Sequence, residues 1–273
     1  MRILFRRGGL GRGLPWVLVA VAVGLASLAG ITASPVAGST VATGTLEMKA
    51  SLDLTSDSTC TLVGIATNCA SHEVGGSFRG LGRVTGSYDY EMDWGPGACG
   101  SGLGKALSYP IRLEVAGKGA IDVVTTEAAC ADFVFVRTQT QAFTVTGGTG
   151  IYAGASGSGT LQRALGASLE EIGQGSETWR GTLTVPGLTF DLVRPTFVGA
   201  KSRTVVASRH AKRVRVKYGV TATDAVDGRV AVRCLPRSGT WFRIGRNRVH
   251  CSATDRSANA ATASFEITVR QHR

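Results

Sequence analysis

The chain has 273 residues, and 43% of them are hydrophobic, a share that excludes a largely disordered protein. Its 37 glycines, few aromatic residues and lack of a long helical period after residue 40 predict an all-β protein. The net charge of +11 is uneven: residues 40–193 carry nine basic and fifteen acidic side chains, whereas residues 194–273 carry seventeen basic and four acidic ones.

The N-terminal segment has the pattern of a secretory signal peptide. Four arginines precede and flank the start of the apolar run WVLVAVAVGLASLAGITA, and small residues lie before Ser34, which predicts cleavage near Ala33. Residues 15–33 also reach the length of a membrane span, so an uncleaved anchor over residues 1–33 is the alternative. We expect a secreted or extracellular protein, membrane-attached only if this segment is retained, with a linker over residues 34–43.

The cysteines predict disulfide bonds rather than a metal site. Six remain after the signal segment, an even number in an exported chain: Cys60, Cys69, Cys99, Cys130, Cys234 and Cys251. The first four allow three pairings, and the sequence does not choose among them. The four histidines are scattered, so neither a zinc site nor a cofactor is predicted.

Residues 44–193 contain many short strand patterns separated by glycine-rich turns, which predicts a barrel or a sandwich. One of these strands, Tyr88–Trp94, places Asp89, Glu91 and Asp93 on one face. Three carboxylates at period 2 have the chemistry to hold Ca²⁺ or to act in acid–base catalysis. A solvated acidic face on a half-buried strand is the favoured interpretation.

The stretch FTVTGGTGIYAGASGSGTL is the most specific pattern in this region. Ile151 and Tyr152 are expected to form an apolar plug. The glycines are expected to supply turn positions with positive φ and points of close backbone approach, at Gly147, Gly148, Gly150, Gly154, Gly157 and Gly159. The stretch resembles the glycine-rich signature of the allene oxide cyclase and dirigent-like superfamily, which implies a β-barrel over residues 44–193. It lacks the Lys-Ser/Thr of a phosphate-binding loop, so no nucleotide site is predicted.

Residues 194–273 show clear alternation of apolar and basic side chains. The first strand is predicted at Arg213–Tyr218, and later strands place Val230, Val232 and Cys234, and then Val249, Cys251 and Ala253, on buried faces. Two cysteines at buried positions of two strands predict a Cys234–Cys251 disulfide across the core of a β-sandwich.

The run DAVDG, followed by CLPRSGTWF, IGRNRVHCSATD and ASFEITV, resembles the HYR (hyalin repeat) domain. The resemblance covers roughly Pro195–Arg270 and implies an immunoglobulin-like module of extracellular proteins with an adhesion or carbohydrate-associated role, without implying an activity. One departure is Ala258, where the family usually has glycine. Since glycine accepts a positive φ more readily, this turn is expected to be strained or altered.

Acidic residues in two predicted turns offer possible Ca²⁺ ligands. Asp224 and Asp227 lie in TDAVDG, and Asp255 and Asn259 lie in TDRSAN. The favoured interpretation is that they hydrogen-bond to the backbone of their own turns. No metal site is therefore predicted.

The functional prediction rests on the charge of the C-terminal residues. The candidates for binding a polyanion, such as an acidic polysaccharide or a cell-envelope polymer, are Arg213, Arg215, Lys217, Arg229, Arg233 and Arg248. Nucleic acid is not expected as a partner outside the cell, and no catalytic residue is assigned. The prediction is a non-catalytic binding or adhesion protein. The alternative is that the barrel cavity binds a small apolar ligand or has dirigent-like or cyclase-like activity.

Overall fold

A computed structural model describes residues 42–57, 60, 68–95, 97–101, 103–130, 138–165 and 174–272. Within these ranges the protein is all-β, with eighteen strands and one short 3₁₀ helix, Gly150–Tyr152. None of the helices in the described part of the chain is long and apolar enough to cross a membrane. The predicted signal segment, residues 1–33, and most of the linker, residues 34–43, lie outside the described residues.

The first nine strands form one sheet that closes on itself. In chain order they are β1 (Ala42–Asp57), β2 (Asn68–Phe78), β3 (Gly82–Asp93), β4 (Lys105–Ala106), β5 (Pro110–Val115), β6 (Gly119–Thr125), β7 (Thr138–Gly148), β8 (Ser156–Leu165) and β9 (Gln174–Phe190). The strand order is β2-β1-β9-β8-β7-β6-β5-β3, and β2 also pairs with β3, so eight strands form a closed antiparallel barrel. Strand β4 pairs with the C-terminal end of β3. The expectation of a barrel is confirmed.

The barrel interior has an apolar part and a polar part. Strand alternation directs one face of every strand inwards, and the apolar part is filled by large buried side chains that include Trp179, Phe143 and Phe78. Towards the opposite end, His72, Gln141, Arg163 and Glu177 occupy inward positions and are also buried, as are the rings of three tyrosines. Buried charges require paired partners.

The remaining strands make three smaller sheets. They are β10 (Thr196–Val198), β11 (Arg203–Ala207), β12 (Arg213–Arg215), β13 (Thr221–Asp224), β14 (Gly228–Val230), β15 (Val232–Leu235), β16 (Trp241–Arg243), β17 (Gly245–Thr254) and β18 (Ala260–Gln271). The sheets have the orders β10-β13-β14, β11-β18-β17-β15 and β12-β16. A shared apolar core lies between the two-stranded ribbon and the four-stranded sheet, with Phe242 from the ribbon and Val249 and Ile267 from the sheet.

Two features of this C-terminal region differ from the sequence prediction. Strands β10 and β11 precede the strand that was predicted to be first, and their largely exposed side chains give no clear alternation. The predicted strand around Val230 is interrupted, because β14 pairs with β13 and β15 pairs with β17 in a different sheet. Ala231 is the residue between the two strands and is exposed.

The structure contains three disulfide bonds, Cys60–Cys69, Cys99–Cys130 and Cys234–Cys251. The last is the bridge expected from the strand pattern, but its geometry differs from that expectation. Cys234 and Cys251 are directly opposite one another on the neighbouring strands β15 and β17, with their Cα atoms 4.0 Å apart. The bridge therefore joins two strands of one sheet and does not cross the core between two sheets.

The barrel and the C-terminal region form one compact unit. The turn between β2 and β3 contacts the loop between β17 and β18: the Gly80 amide donates to the Ser257 carbonyl at 2.6 Å, and Arg79 Nε donates to Asn259 Oδ1 at 3.1 Å. Asn259 is fully buried and its amide nitrogen donates to the Asp191 carbonyl just after β9. These bonds fix the end of the barrel that lies opposite its polar interior.

Candidate binding surfaces

The two-stranded ribbon of β12 and β16 carries an aromatic and basic outer surface. Val214 pairs with Phe242, and both side chains pack into the shared core. Alternation along the strands then directs the other side chains outwards, where Arg213 is opposite Arg243 and Arg215 is opposite Trp241. We call Arg213, Arg215, Trp241 and Arg243 the arginine–tryptophan ribbon.

Trp241 is 49% exposed, which is unusual for so large an apolar side chain. The guanidinium carbons of Arg213 and Arg215 lie 4.8 and 5.1 Å from its ring centroid, within the range of cation–π interactions. In the described part of the C-terminal region, only Arg246 and Arg256 approach a carboxylate within salt-bridge distance. The ribbon therefore presents an indole surface beside guanidinium groups whose charge no carboxylate neutralises.

A second basic surface lies on the opposite side of the shared core. Arg233, Arg248 and His250 line a groove on the outer face of the four-stranded sheet. The inner faces of this sheet and of the ribbon meet in the same core, so their outer faces point in opposite directions.

The six residues predicted to bind a polyanion therefore lie on separate surfaces and do not form one site. Arg213 and Arg215 lie on the ribbon, and the exposed Lys217 follows them at the same parity. Arg229 is exposed on β14, while Arg233 and Arg248 belong to the four-stranded sheet.

Sequence reasoning missed Trp241, which it placed in no site. The residue is separated by 26 positions from Arg215, its partner across the ribbon. The only signal was its parity: Phe242 has the apolar, buried position in WFR, so Trp241 has to face outwards.

The polar end of the barrel interior is organised around one buried ion pair. Arg163 Nη2 lies 3.3 Å from Glu177 Oε1, and these side chains are 3% and 0% exposed. The same Arg163 nitrogen donates to the hydroxyls of Tyr88 and Tyr109, and the Tyr88 hydroxyl donates to Glu177. Glu177 Oε2 accepts a bond from Trp179 Nε1 at 3.1 Å, so both carboxylate oxygens have donors.

Burial changes the protonation of the groups at this polar end. Burial, together with the positive charge of Arg163, lowers the pKa of His72 from 6.5 to about 4. Burial also raises the pKa of Tyr88, Tyr90 and Tyr109, against the effect of the Arg163 charge. The tyrosines and the histidine are therefore neutral at pH 7, and the pair Arg163–Glu177 carries the charges.

Some donors at this end have no partner among the described residues. Arg163 Nε and Nη1 and Gln139 Nε2 are buried without a hydrogen bond. The Arg163 guanidinium instead lies over the Tyr90 ring, 4.1 Å from its centroid. Buried N–H groups without partners can donate hydrogen bonds to an anionic or carbonyl oxygen of a ligand.

The glycine-rich stretch serves the barrel architecture. Gly150 and Gly154 have positive φ, whereas Gly147 and Gly148 belong to the end of β7, which corrects the expected turn. Gly159 is packed so tightly that an added Cβ would lie 2.2 Å from the Arg180 carbonyl oxygen. The expected plug is formed by the buried Tyr152 alone, since Ile151 is 48% exposed.

The acidic strand Tyr88–Trp94 does not keep all its carboxylates on one solvated face. Asp89 is exposed and accepts a bond from Ser71, but Asp93 is buried and accepts one from the Gly95 amide. The buried carboxylate at Asp93 therefore stabilises the turn after β3.

Asp224 and Asp255 accept the local hydrogen bonds expected of them, whereas Asp227 Oδ2 accepts the backbone amide of Arg256, in the other turn, at 2.7 Å. Asp224 Oδ1 accepts bonds from the amides of Val226 and Asp227 at 2.8 and 3.1 Å. Asp255 Oδ1 accepts the Asn259 amide at 2.7 Å. Ala258, within the second turn, has a φ of 61°, in the left-handed region that glycine adopts more cheaply.

Comparison with known proteins identifies one part of the chain. Residues 190–269 match the family model for the HYR domain. HYR domains are extracellular, adhesion-type modules, and this match is consistent with a non-catalytic adhesion role. The three disulfides are consistent with a secreted protein. The barrel is present in the structure, but no family match links it to allene oxide cyclases or dirigent proteins. Neither the curated proteins nor the solved structures include a significant match to this chain.

Proposed function

We propose that this protein is a secreted or cell-surface, non-catalytic binding protein whose C-terminal region binds acidic glycans through the arginine–tryptophan ribbon. The proposal includes an immunoglobulin-like sandwich for the HYR module. The observation that carries it is the exposed Trp241 with Arg213 and Arg215 at its ring.

The chemistry of the ribbon suits a sugar that carries negative charge. The flat face of an indole packs against the apolar C–H face of a pyranose ring. The adjacent guanidinium groups form paired hydrogen bonds with a carboxylate or sulfate on that ring. Because the ribbon is exposed, its electrostatic contribution should fall as the salt concentration rises.

The test compares two pairs of substitutions that remove equal charge from opposite sides of the shared core. Arg213→Gln with Arg215→Gln alters the ribbon, and Arg233→Gln with Arg248→Gln alters the other basic surface. Both proteins are eluted from a heparin column with a salt gradient, and their affinities for heparin and for uronic-acid polymers are measured. The ribbon pair should lose about tenfold in affinity, equivalent to roughly 1.4 kcal/mol, and the matched pair much less.

Two further measurements distinguish a glycan site from general attraction to polyanions. Trp241→Ala should weaken glycan binding even at high salt, because it removes the stacking surface and no charge. Single-stranded DNA of matched charge should compete poorly. If both arginine pairs shifted the elution equally, or DNA bound as well as the glycan, the ribbon would not be a glycan site.

A second candidate function places a small ligand at the polar end of the barrel. The supporting observation is the set of buried, unpartnered donors on Arg163 and Gln139 beside Tyr90. A ligand with a carboxylate or carbonyl group would satisfy these donors. The dirigent-like or cyclase-like alternative depends on this same site.

A thermal-shift screen of small aromatic acids and ketones tests the second candidate. A true ligand should raise the melting temperature of the wild type and should lose this effect in Gln139→Leu. The variant removes a spare donor and the oxygen that accepts from the Tyr90 hydroxyl, but it leaves the Arg163–Glu177 pair in place. An equal shift in both proteins would place the ligand elsewhere, and an absence of hits would remove the support for this candidate.

A further inference from the structure

Four carboxylates come together where the barrel meets the C-terminal region. Asp191 follows β9, Asp224 ends β13, Asp227 lies in the turn after it, and Asp255 follows β17. One oxygen from each of the four lies within 4.8 Å of the others. Only the last three belong to the predicted turns, and Asp191 comes from the end of the barrel.

Backbone donors orient these carboxylates and leave particular oxygens without partners. Asp224 is 7% exposed, and while its Oδ1 accepts the two turn amides, its Oδ2 is buried with no hydrogen-bond partner. Asp191 shows the same division: Oδ1 accepts the Val193 amide at 3.0 Å, and Oδ2 is buried and unpartnered. A buried carboxylate oxygen without a donor is costly unless something supplies positive charge to it.

The protein itself supplies little compensating charge. Within the described residues, the only cationic group at salt-bridge distance from any of the four is the exposed Arg256, whose Nη1 is 3.9 Å from Asp227 Oδ1. Four close carboxylates with one distant counter-charge repel each other.

We propose that Asp191, Asp224, Asp227 and Asp255 form a Ca²⁺ site at the junction of the barrel and the C-terminal region. The ligand chemistry is all-oxygen and strongly anionic, which suits a hard divalent cation. Ca²⁺ binds oxygens at about 2.3–2.6 Å, so ligands on opposite sides of the ion are roughly 5 Å apart. The four oxygens lie within 4.8 Å of one another, so one Ca²⁺ ion can reach all of them.

The site would connect cation binding to the rigidity of the junction. Asn259 donates to Asp255 Oδ2 at 2.8 Å and to the Asp191 carbonyl at 3.0 Å, and its own carbonyl oxygen accepts from Arg79 of the barrel. A cation that holds Asp191 and Asp255 together therefore tightens the same contact that joins the two parts. This inference does not depend on the glycan-binding proposal.

The first experiment is calcium titration of the metal-stripped full-length mature protein by isothermal calorimetry, with a parallel thermal melt. We expect one site with a dissociation constant between about 10⁻⁵ and 10⁻³ M, the range of weak sensors and extracellular modules. At ten times that concentration the melting temperature should rise by about 3–6 °C. Mg²⁺ should bind at least tenfold more weakly.

Asp224→Asn is the diagnostic variant, because its carbonyl oxygen can still accept the two turn amides while the charge at Oδ2 is lost. It should bind Ca²⁺ at least tenfold more weakly, and in EDTA it should melt at a higher temperature than the wild type because repulsion is relieved. Asp53→Asn removes an exposed carboxylate from the outer face of β1 and is the matched control, which should retain the calcium response.

Asp191→Asn provides a second variant from the barrel side, in case Asp224→Asn does not fold. The proposal is overturned if the wild type shows neither heat nor a melting shift up to 10 mM CaCl₂. It is equally overturned if the two junction variants respond to Ca²⁺ as the wild type does. An equal response to Mg²⁺ would refute the assignment to calcium.

Discussion

Lowering the pH from 7 to 4 is expected to destabilise the barrel through one side chain, His72. The residue is 2% exposed, its ring is stacked on Tyr88, and its Nδ1 lies 3.0 Å from the Ala70 carbonyl oxygen. Burial, with the nearby Arg163 charge, lowers the pKa of His72 to about 4 in the folded state, from 6.5. The folded barrel thus accepts the neutral imidazole and resists its protonation.

The direction and size of the effect follow from proton linkage. Between pH 6.5 and pH 4 the unfolded chain binds a proton that the folded chain does not, so the free energy of unfolding rises with pH across this window. Above pH 6.5 both states are neutral and the histidine imposes no penalty. A pKa difference of this size corresponds to roughly 3 kcal/mol of stability lost by pH 4.

The assay is urea unfolding at pH 7, 6, 5 and 4, with the disulfides intact and EDTA present, followed by the fluorescence of the buried Trp179. His72→Asn retains an amide donor near the position of Nδ1 but does not titrate, and other ionisable groups cancel in its comparison with the wild type. The variant should have a lower free energy of unfolding than the wild type at pH 7. Between pH 7 and pH 4 the difference between the two proteins should shift by roughly 3 kcal/mol in favour of the variant. A stability difference that is the same at both pH values would refute the reasoning.

Three substitutions test other parts of the structure by urea unfolding. Gly159→Ala should cost about 3 kcal/mol, because its Cβ would meet backbone at 2.2 Å, whereas Gly147→Ala, with open space around it, should cost much less. Ala258→Gly should stabilise by about 0.5–1 kcal/mol, since it relieves the positive φ. Glu177→Gln should cost about 3–5 kcal/mol by leaving Arg163 buried without its counter-charge, and an unchanged stability would contradict the buried pair. The exposed Glu114→Gln is its control and should change little.

Much of the C-terminal region could be predicted because its strands have one apolar and one polar face. Val249, Cys251 and Ala253 are buried as their parity predicts, and Phe265 and Ile267 follow the same rule. The same parity could not show which strand lies opposite each cysteine. The disulfide was therefore expected across the core, whereas it links two neighbouring strands of one sheet. Alternation specifies a face of a strand and gives no information about its partner.

The barrel was predictable as a closed sheet, but its polar interior was not. His72, Arg163 and Glu177 come from three different strands, and each on its own resembles a surface residue in a strand with mixed composition. Only the closure of the sheet brings them to one end of the interior. Single charged residues at inward parity were the available signal, since a strand that buries its other inward residues rarely places a charge there without a partner.

The junction cluster shows why turn aspartates are hard to interpret from one region alone. Asp224 and Asp255 each fulfil an ordinary turn role with one oxygen, and this role is sufficient to explain their presence in the sequence. What the turn role does not explain is the buried, unpartnered Oδ2 of Asp224, or the approach of Asp191 from the barrel. If these residues served only their turns, asparagine could accept the same backbone hydrogen bonds without repulsion between carboxylates. The negative charge at this contact between two parts of one chain therefore exceeds what Arg256, the one cation near it among the described residues, can balance, and the proposed divalent cation would supply the rest.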